Sequence, residues 1–156
     1  EKPWHLREET SKYTDLMPDG RARRFTWVQE ANSVITSVCP ENSLKSRGYH
    51  ELEGVAWSGR GKIKQVDISF DGGFSWKEAK LKGLVLDKAL TRFSLDWSGD
   101  GSPALIQSRA IDDTGYVQPT LSQLREVRGV NSIYHKNSIH TWQVLATGEV
   151  KNVQNT

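Results

Sequence analysis

Alternation of apolar and polar residues in short segments constrains the fold of this chain more than any other feature of its sequence. From Val66 to Phe70, every second residue is apolar and the residues between them are polar. Successive side chains of a strand point to opposite faces, so this pattern predicts antiparallel strands with one buried face. Eight segments have strand character: Phe25–Glu30, Ser33–Val38, His50–Trp57, Ile63–Phe70, Trp76–Leu81, Arg92–Trp97, Ala104–Ile111 and His140–Ala146.

The number and spacing of these segments predict an all-β fold, an immunoglobulin-like antiparallel β-sandwich with an extended N-terminal arm. We assign residues 1–24 to the arm and residues 25–156 to the sandwich domain. The arm is charged and carries Pro3, Pro18 and Gly20, a composition typical of linkers. The segment Ser122–Val127 is compatible with one short helical turn.

A tight turn at Asp71–Gly73 is the sharpest local signal. Its two glycines favour the positive φ angles of a hairpin turn, and Asp71 is suited to accept backbone hydrogen bonds across it. With Ser75 and Trp76, the turn matches the Asp-box consensus. We favour a structural hairpin over a carboxylate ligand or a sugar-binding turn.

Charge and composition exclude several classes of function. The chain has 21 basic and 19 acidic residues, so it lacks the excess of positive charge that nucleic-acid binding usually needs. No apolar run approaches the roughly 20 residues of a membrane-spanning helix. The single cysteine, Cys39, excludes an intrachain disulfide, a thiolate zinc site and an iron–sulfur cluster. We therefore expect neither nucleic acid nor a membrane as a partner.

Common catalytic arrangements are poorly supported by the spacing of reactive residues. His135 and His140 have no neighbouring ligands that would complete a metal site, so hydrogen-bonded or surface histidines are favoured. Asp112 and Asp113 are adjacent on a predicted strand and would point to opposite faces, which argues against a carboxylate dyad. A small hydrolase that uses Asp112, Asp113 and His135 is therefore the weakest hypothesis.

After Pro119 the sequence predicts a long, non-repetitive loop with many polar and basic side chains between the last two strands, and such a loop is unusual in a plain sandwich. Arg128 precedes Gly129, and its guanidinium is suited to bidentate binding of an oxyanion. From the residues alone, a solvated surface loop is favoured over an anion site. The residues concerned are Arg125, Arg128, Asn131, Tyr134, His135, Lys136 and Asn137.

Three strings between residues 54 and 135 resemble a known family when they are taken in order. They are GVAWSGRGKIKQVDISFDGGFSWKEAKL (Gly54–Leu81), SRAIDDTGYVQP (Ser108–Pro119) and RGVNSIYH (Arg128–His135). They resemble the C-terminal dimerisation domain of the sulfite oxidase family of molybdenum enzymes, with Tyr134 where tryptophan is common. Together with the arm, Arg7–Phe25, they are most similar to the sulfane dehydrogenase branch found in bacterial sulfur oxidation (Sox) systems.

The resemblance implies an immunoglobulin-like domain that holds a molybdoenzyme as a homodimer. It also implies a preceding domain that binds molybdopterin and supplies the cysteine ligand of molybdenum, and Cys39 matches no such position. The parent would be periplasmic, oxidise sulfite or sulfane sulfur, and pass electrons to a c-type cytochrome subunit. Arg128 stands at the family's arginine that lines the substrate-anion pocket. For this chain by itself, the resemblance implies no catalytic residue, cofactor or metal.

A free-standing β-sandwich module that binds carbohydrate or protein is the alternative. Tryptophan rings stack well on sugars, and four tryptophans lie on or beside predicted strands. Because the sequence begins at Glu1 without Met and without an apolar signal core, we expect a processed product or a fragment. The four tryptophans are Trp57, Trp76, Trp97 and Trp142.

Overall fold

Antiparallel strands form the frame of the protein in a computed structural model, which describes residues 14–16, 19–20, 22–24, 28–41, 44, 47–130 and 135–154. Eleven strands are found in these ranges, and a helix, α1 (Leu121–Arg128), lies between β9 and β10. The strands are β1 (Thr14–Leu16), β2 (Ala22–Arg24), β3 (Asn32–Ile35), β4 (Gly48–Trp57), β5 (Ile63–Ser69), β6 (Lys77–Glu78), β7 (Lys80–Lys82), β8 (Thr91–Gly99), β9 (Ala104–Asp112), β10 (Thr141–Val144) and β11 (Val150–Val153).

Two sheets make up the sandwich. One has five strands in the order β11-β10-β9-β5-β6, and the other has four in the order β3-β4-β8-β7. Every pairing between neighbouring strands is antiparallel. The predicted all-β sandwich is therefore confirmed.

The core lies between the two sheets. Leu52 of β4 and Phe93 of β8 come from the four-stranded sheet, and Ile68 of β5 and Ile106 of β9 come from the five-stranded sheet. All four side chains are fully buried. Burial of a large apolar side chain contributes about 1.5–3 kcal/mol relative to leaving it exposed, so this layer is the main apolar contribution to stability.

Gly54 allows close packing at the centre of the four-stranded sheet. It pairs with Phe93 across β4 and β8, and a Cβ atom at Gly54 would overlap the Phe93 ring and the carbonyl oxygen of Val34. Position 54 in the GVAW string therefore has no room for a side chain, because the Phe93 ring occupies that space.

The structure divides the predicted strand Trp76–Leu81 between the two sheets. β6 pairs with β5, whereas β7 pairs with β8 in the other sheet. Ala79 lies at the crossing, where it is buried and its N–H donates to the carbonyl oxygen of Val66. One continuous strand was the wrong prediction because sequence alternation does not show which sheet a strand joins.

Three further differences from the sequence-based strands concern short elements. Within the first predicted strand, residues 28–30 lie outside any strand, and residues 25–27 lie outside the described part. β11, which pairs with β10, was not predicted because its four residues include two exposed polar ones. In the arm, β1 and β2 pair as a small hairpin. Assignment of residues 1–24 to an arm stays a prediction.

Helix α1 begins at a capping box. Thr120 is the N-cap and accepts a hydrogen bond from the backbone N–H of Gln123, whose side chain accepts one from the backbone N–H of Thr120. At the other end, Gly129 has a φ of 78° and donates to the carbonyl oxygen of Arg125. In the part of the chain that the structure describes, no helix is long and apolar enough to cross a membrane.

Candidate functional site

Arg128 lies at the end of α1, not in an irregular loop as the sequence suggested. It shares the buried face of the helix with Leu121 and Leu124. Leu124 follows Leu121 by three residues and Arg128 follows Leu124 by four, which is the spacing of one helix face. Its side chain is only 4% exposed, and its Nη2 donates to Oε2 of Glu30 at 2.7 Å. A surface position for Arg128 is therefore wrong, because helical spacing directs it inward.

Glu30 is the centre of a group of ionisable side chains that we call the Glu30 cluster: Glu30, Arg60, Tyr116, Arg128 and His135. Its Oε1 accepts a hydrogen bond from Nη2 of Arg60 at 2.7 Å, and its Oε2 accepts one from the Tyr116 hydroxyl at 3.0 Å. Nε2 of His135 lies 3.4 Å from the backbone nitrogen of Glu30, which donates to it. Both oxygens of one carboxylate are thus bound by side chains from distant parts of the chain.

The pKa of Glu30 is lowered despite its position. Burial favours the neutral carboxyl and acts to raise the pKa, but the hydrogen bond and charge of Arg128 and the hydrogen bonds from Arg60 and Tyr116 outweigh it. The carboxylate therefore remains charged near neutral pH. Arg128 has a buried counter-ion, which offsets much of the penalty of removing its guanidinium from water.

Tyr116 connects the cluster to the segment after α1. Nδ2 of Asn137 donates to the Tyr116 oxygen at 3.2 Å and to the carbonyl oxygen of Ala31 at 3.1 Å. Burial raises the pKa of Tyr116, and the nearby Glu30 carboxylate raises it further, whereas the Asn137 hydrogen bond lowers it. The net rise keeps the hydroxyl protonated, so it can donate to Glu30.

A cavity of about 610 Å³ borders the cluster. Glu30, Tyr116 and Arg128 line it on one side, and Trp76 and Arg109 are also among its lining residues. An anion that entered this space would meet the guanidinium groups of Arg109 and Arg128, but also the carboxylates of Glu30 and Glu126. Its binding would therefore depend on how the arginine side chains are oriented.

The Asp71 turn is closed by its own residues. Oδ1 of Asp71 accepts hydrogen bonds from the Ser69 hydroxyl and the Ser75 N–H, and Oδ2 accepts one from the Ser75 hydroxyl. These bonds hold the pKa of Asp71 well below its usual range, the Ser75 hydroxyl having the largest effect. Gly72 and Gly73 have φ angles of 77° and 98°. The geometry supports the structural hairpin, because the carboxylate is already bonded within the turn.

The four tryptophans do not form an exposed platform, since each is half-buried. Trp76 has the Arg109 guanidinium 4.2 Å from its ring centroid. Trp97 stacks on Phe70, and Trp142 donates to the carbonyl oxygen of Ile35. The carbohydrate-binding hypothesis therefore receives no support from these side chains.

The three residues of the hydrolase hypothesis lie in different environments. Asp112 is fully buried and accepts hydrogen bonds from the hydroxyls of Ser58 and Thr114, whereas Asp113 is exposed. His135 belongs to the Glu30 cluster instead. The structure does not bring these three side chains together as a catalytic group.

Side chains that could ligate a metal ion are scattered over the described residues. Among them, no group of three or more His, Cys, Asp or Glu side chains is placed to hold a metal ion. Cys39, the chain's single cysteine, is free and half-buried. Of the polar residues singled out after Pro119, Asn131 and Tyr134 lie outside the described residues.

Sequence reasoning singled out Arg128 as a candidate but missed the residues that contact it through Glu30. Glu30 stands alone as an acidic residue at the end of a predicted strand, and Arg60 stands in a glycine turn. Neither has a local pattern that marks it as part of a site. Tyr116 is the exception, because it lies inside the GYVQP string that carried the family resemblance.

Comparison with known proteins identifies the family of this domain. The model of the Mo-co oxidoreductase dimerisation domain matches residues 23–142, well over half of the chain. The chain belongs to this family. Its sandwich is therefore a dimerisation domain of molybdenum-cofactor oxidoreductases, which confirms the resemblance drawn from the three strings.

Sulfite oxidases are among the similar proteins. The mitochondrial enzyme of Homo sapiens is 33% identical over 120 residues, which cover 69% of this chain and 21% of the enzyme. The mitochondrial enzyme of Mus musculus is 32% identical over 111 residues, or 64% of this chain and 20% of the enzyme. The chain thus spans about a fifth of the length of these sulfite oxidases.

A solved structure resembles this chain over almost its whole length. The sulfane dehydrogenase SoxCD of Paracoccus pantotrophus is 56% identical, with a TM-score of 0.93, and the match covers 99% of this chain and 40% of that chain. The similarity to the sulfane dehydrogenase branch is therefore confirmed, and it includes residues of the arm. The binding-module alternative is not favoured.

Proposed function

We propose that this domain belongs to a parent enzyme that oxidises reduced sulfur, sulfite or sulfane sulfur, with a molybdenum cofactor. The observation that carries the proposal is the 56% identity to a sulfane dehydrogenase over 99% of the chain. A preceding domain of the parent would hold molybdopterin and molybdenum, since the match covers only 40% of the sulfane dehydrogenase chain. A c-type cytochrome subunit would accept the electrons, and the parent would be periplasmic.

Within that enzyme, the domain makes the parent a homodimer. A two-fold interface uses the same surface of both chains, so this chain should self-associate without other subunits. Light scattering should give a mass near twice 17.6 kDa. A monomer at high protein concentration would contradict the dimerisation role, whatever the parent's substrate.

The domain also contributes Arg128 to the pocket that binds the substrate anion. Three features support this role: the position of Arg128 in the RGV string, its burial beside Glu30, and its place in the wall of the cavity. A guanidinium recognises a sulfur oxyanion through its charge and its paired N–H donors. If the substrate is a protein-bound sulfane, Arg128 serves a different anionic group at the same place.

The test uses two matched variants of the full-length parent, Arg128→Lys and Arg125→Lys. Both arginines lie in α1, but Arg125 is exposed and does not line the cavity. We expect Arg128→Lys to raise the KM for the sulfur substrate by roughly tenfold or more, because an ammonium does not reproduce the guanidinium geometry. Equal kinetics for the two variants would refute the role of Arg128.

A further inference from the structure

Glu30 has no assigned role, yet its carboxylate is hydrogen-bonded to Arg60, Tyr116 and Arg128. Its carboxylate is 13% exposed and binds Arg128 on one oxygen and Arg60 on the other. Tyr116 donates to the same oxygen as Arg128. A carboxylate held at both oxygens has little rotational freedom, so the Nη2 atom that it binds is fixed as well.

The charges of the cluster do not cancel. Glu30 carries one negative charge, and Arg60 and Arg128 each carry a positive charge. Arg60 has 43% of its side chain exposed, so it is the more solvated of the two arginines. The buried pair is neutral by itself, and Arg60 returns a net positive charge to the cluster. The carboxylate can therefore orient Arg128 without making the region repel an anion.

Orientation is the property that a guanidinium site depends on. Bidentate recognition requires the guanidinium plane to match the anion, and a displacement of about 1 Å can reduce catalysis roughly 100-fold. Arg128 is at the last residue of α1, where the backbone leaves the helix at Gly129. A long side chain at a helix end needs a partner from another element to hold one rotamer, and Glu30 is such a partner.

We propose that Glu30 is a positioning residue, which fixes the guanidinium of Arg128 for the substrate anion and is itself held by Arg60 and Tyr116. This inference rests on the function proposed for Arg128. The anion site would then include Glu30, which lies 98 residues before Arg128 in the segment that precedes β3.

The experiment measures binding of inorganic sulfate to the resting full-length parent by calorimetry, for the wild type and for Glu30→Gln. Glutamine keeps the size of the side chain and removes its charge. A carboxylate that acted only through its charge would repel sulfate, so its removal would tighten binding. If the carboxylate positions Arg128, its removal should weaken sulfate binding instead. We therefore expect the sulfate Kd of Glu30→Gln to be roughly tenfold higher than that of the wild type.

Two further variants complete the design. Arg128→Lys should also weaken sulfate binding, and the double variant should bind no worse than Arg128→Lys alone, because both changes remove the same interaction. Glu149→Gln is the control, since Glu149 is exposed and pairs only loosely with Lys151 at 3.5 Å. Its sulfate Kd should match that of the wild type.

Each result separates the two proposals. An unchanged or lower sulfate Kd in Glu30→Gln, with weaker binding in Arg128→Lys, would overturn the inference about Glu30 only. Unchanged binding in Arg128→Lys would overturn the proposed function as well. If Glu30→Gln fails to fold, Glu30→Asp replaces it in the experiment. Aspartate keeps the charge but is one methylene shorter, so its carboxylate lies farther from Arg128. Wild-type sulfate binding in Glu30→Asp would then overturn the inference.

Discussion

The Asp71 turn and the Glu30 cluster are each built around one carboxylate that accepts several hydrogen bonds. In the turn, the partners of Asp71 lie two and four residues away. In the cluster, the side chains that donate to Glu30 lie 30, 86 and 98 residues away. The turn is therefore complete once one hairpin forms, whereas the cluster exists only when the whole domain has folded.

Because of this difference, we expect mutation of the two carboxylates to have different effects on stability. Asp71 is exposed, and water can replace its partners if the turn opens. Arg128 is buried, so loss of its counter-ion leaves a charge that water solvates only poorly. We therefore expect mutations in the cluster to affect the stability of the whole domain, and mutations in the turn to have a smaller effect.

The largest effect should come from Glu30→Ala, which removes the counter-ion of Arg128. We expect a loss of about 3–5 kcal/mol in the free energy of unfolding, because an uncompensated buried charge is left behind. Urea unfolding of the 156-residue chain measures this. The matched change at an exposed ion pair, Glu149→Ala, should stay within about 0.5 kcal/mol. Equal losses in the two variants would remove the distinction between buried and exposed carboxylates.

Gln118→Ala should have the next largest effect on the free energy of unfolding. It removes hydrogen bonds between residues that are far apart in sequence, but it removes no charge. Oε1 of Gln118 accepts from the Ser33 hydroxyl and the Ala110 N–H, and its Nε2 donates to Asn32. These bonds connect β3 of one sheet with β9 of the other. We expect a loss of about 1–3 kcal/mol, because buried polar groups lose their partners. A loss as large as that of Glu30→Ala would mean that charge is not the decisive difference.

Acid sensitivity should distinguish a third carboxylate, Asp112. Burial acts to raise its pKa, but hydrogen bonds from Thr114, Ser58 and the backbone outweigh this effect and leave the pKa lowered. A carboxyl with a lowered pKa in the folded state stabilises it above the unfolded pKa, and that contribution is lost as the pH falls through the folded pKa.

We therefore expect the unfolding free energy of the wild type to fall as the pH drops below about 4. Asp112→Asn should be less stable than the wild type at neutral pH and should lose less stability on acidification. Urea unfolding at a series of pH values provides the measurement. Parallel curves for the two proteins would show that Asp112 does not contribute to acid sensitivity, and Glu30 would become the main candidate.

The smallest effect is expected for Asp71→Asn in the hairpin turn. Asparagine keeps one oxygen for the Ser75 N–H but loses the charge that strengthens the hydrogen bonds to Ser69 and Ser75. The Tm should fall by less than in Glu30→Ala, and sulfate binding by the parent should not change. A fall in Tm larger than that of Glu30→Ala would reverse the proposed order of the two regions.

Much of the fold could be predicted because it depends on local pattern. The alternation from Val66 to Phe70 identified β5, and the glycines of the Asp71 turn identified its hairpin. The segment Ser122–Val127 was compatible with one helical turn, and α1 includes it, but the burial of Arg128 at the end of the helix was not predicted. The division of one predicted strand into β6 and β7 could not be seen, because membership of a sheet is decided by partners elsewhere in the chain.

The sequence by itself determined the class of the fold, its family and the candidate Arg128, because these depend on residue types at fixed local spacing. Tertiary structure alone decided that Glu30 binds that arginine and is itself held by Arg60 and Tyr116. Their hydrogen bonds join segments 30 to 98 residues apart, and no local pattern encodes such a distance. Packing of the two sheets and α1 removes Glu30 and Arg128 from most of the surrounding water, whereas Arg60 stays partly exposed. Burial of the Glu30–Arg128 pair makes the orientation of the two side chains matter.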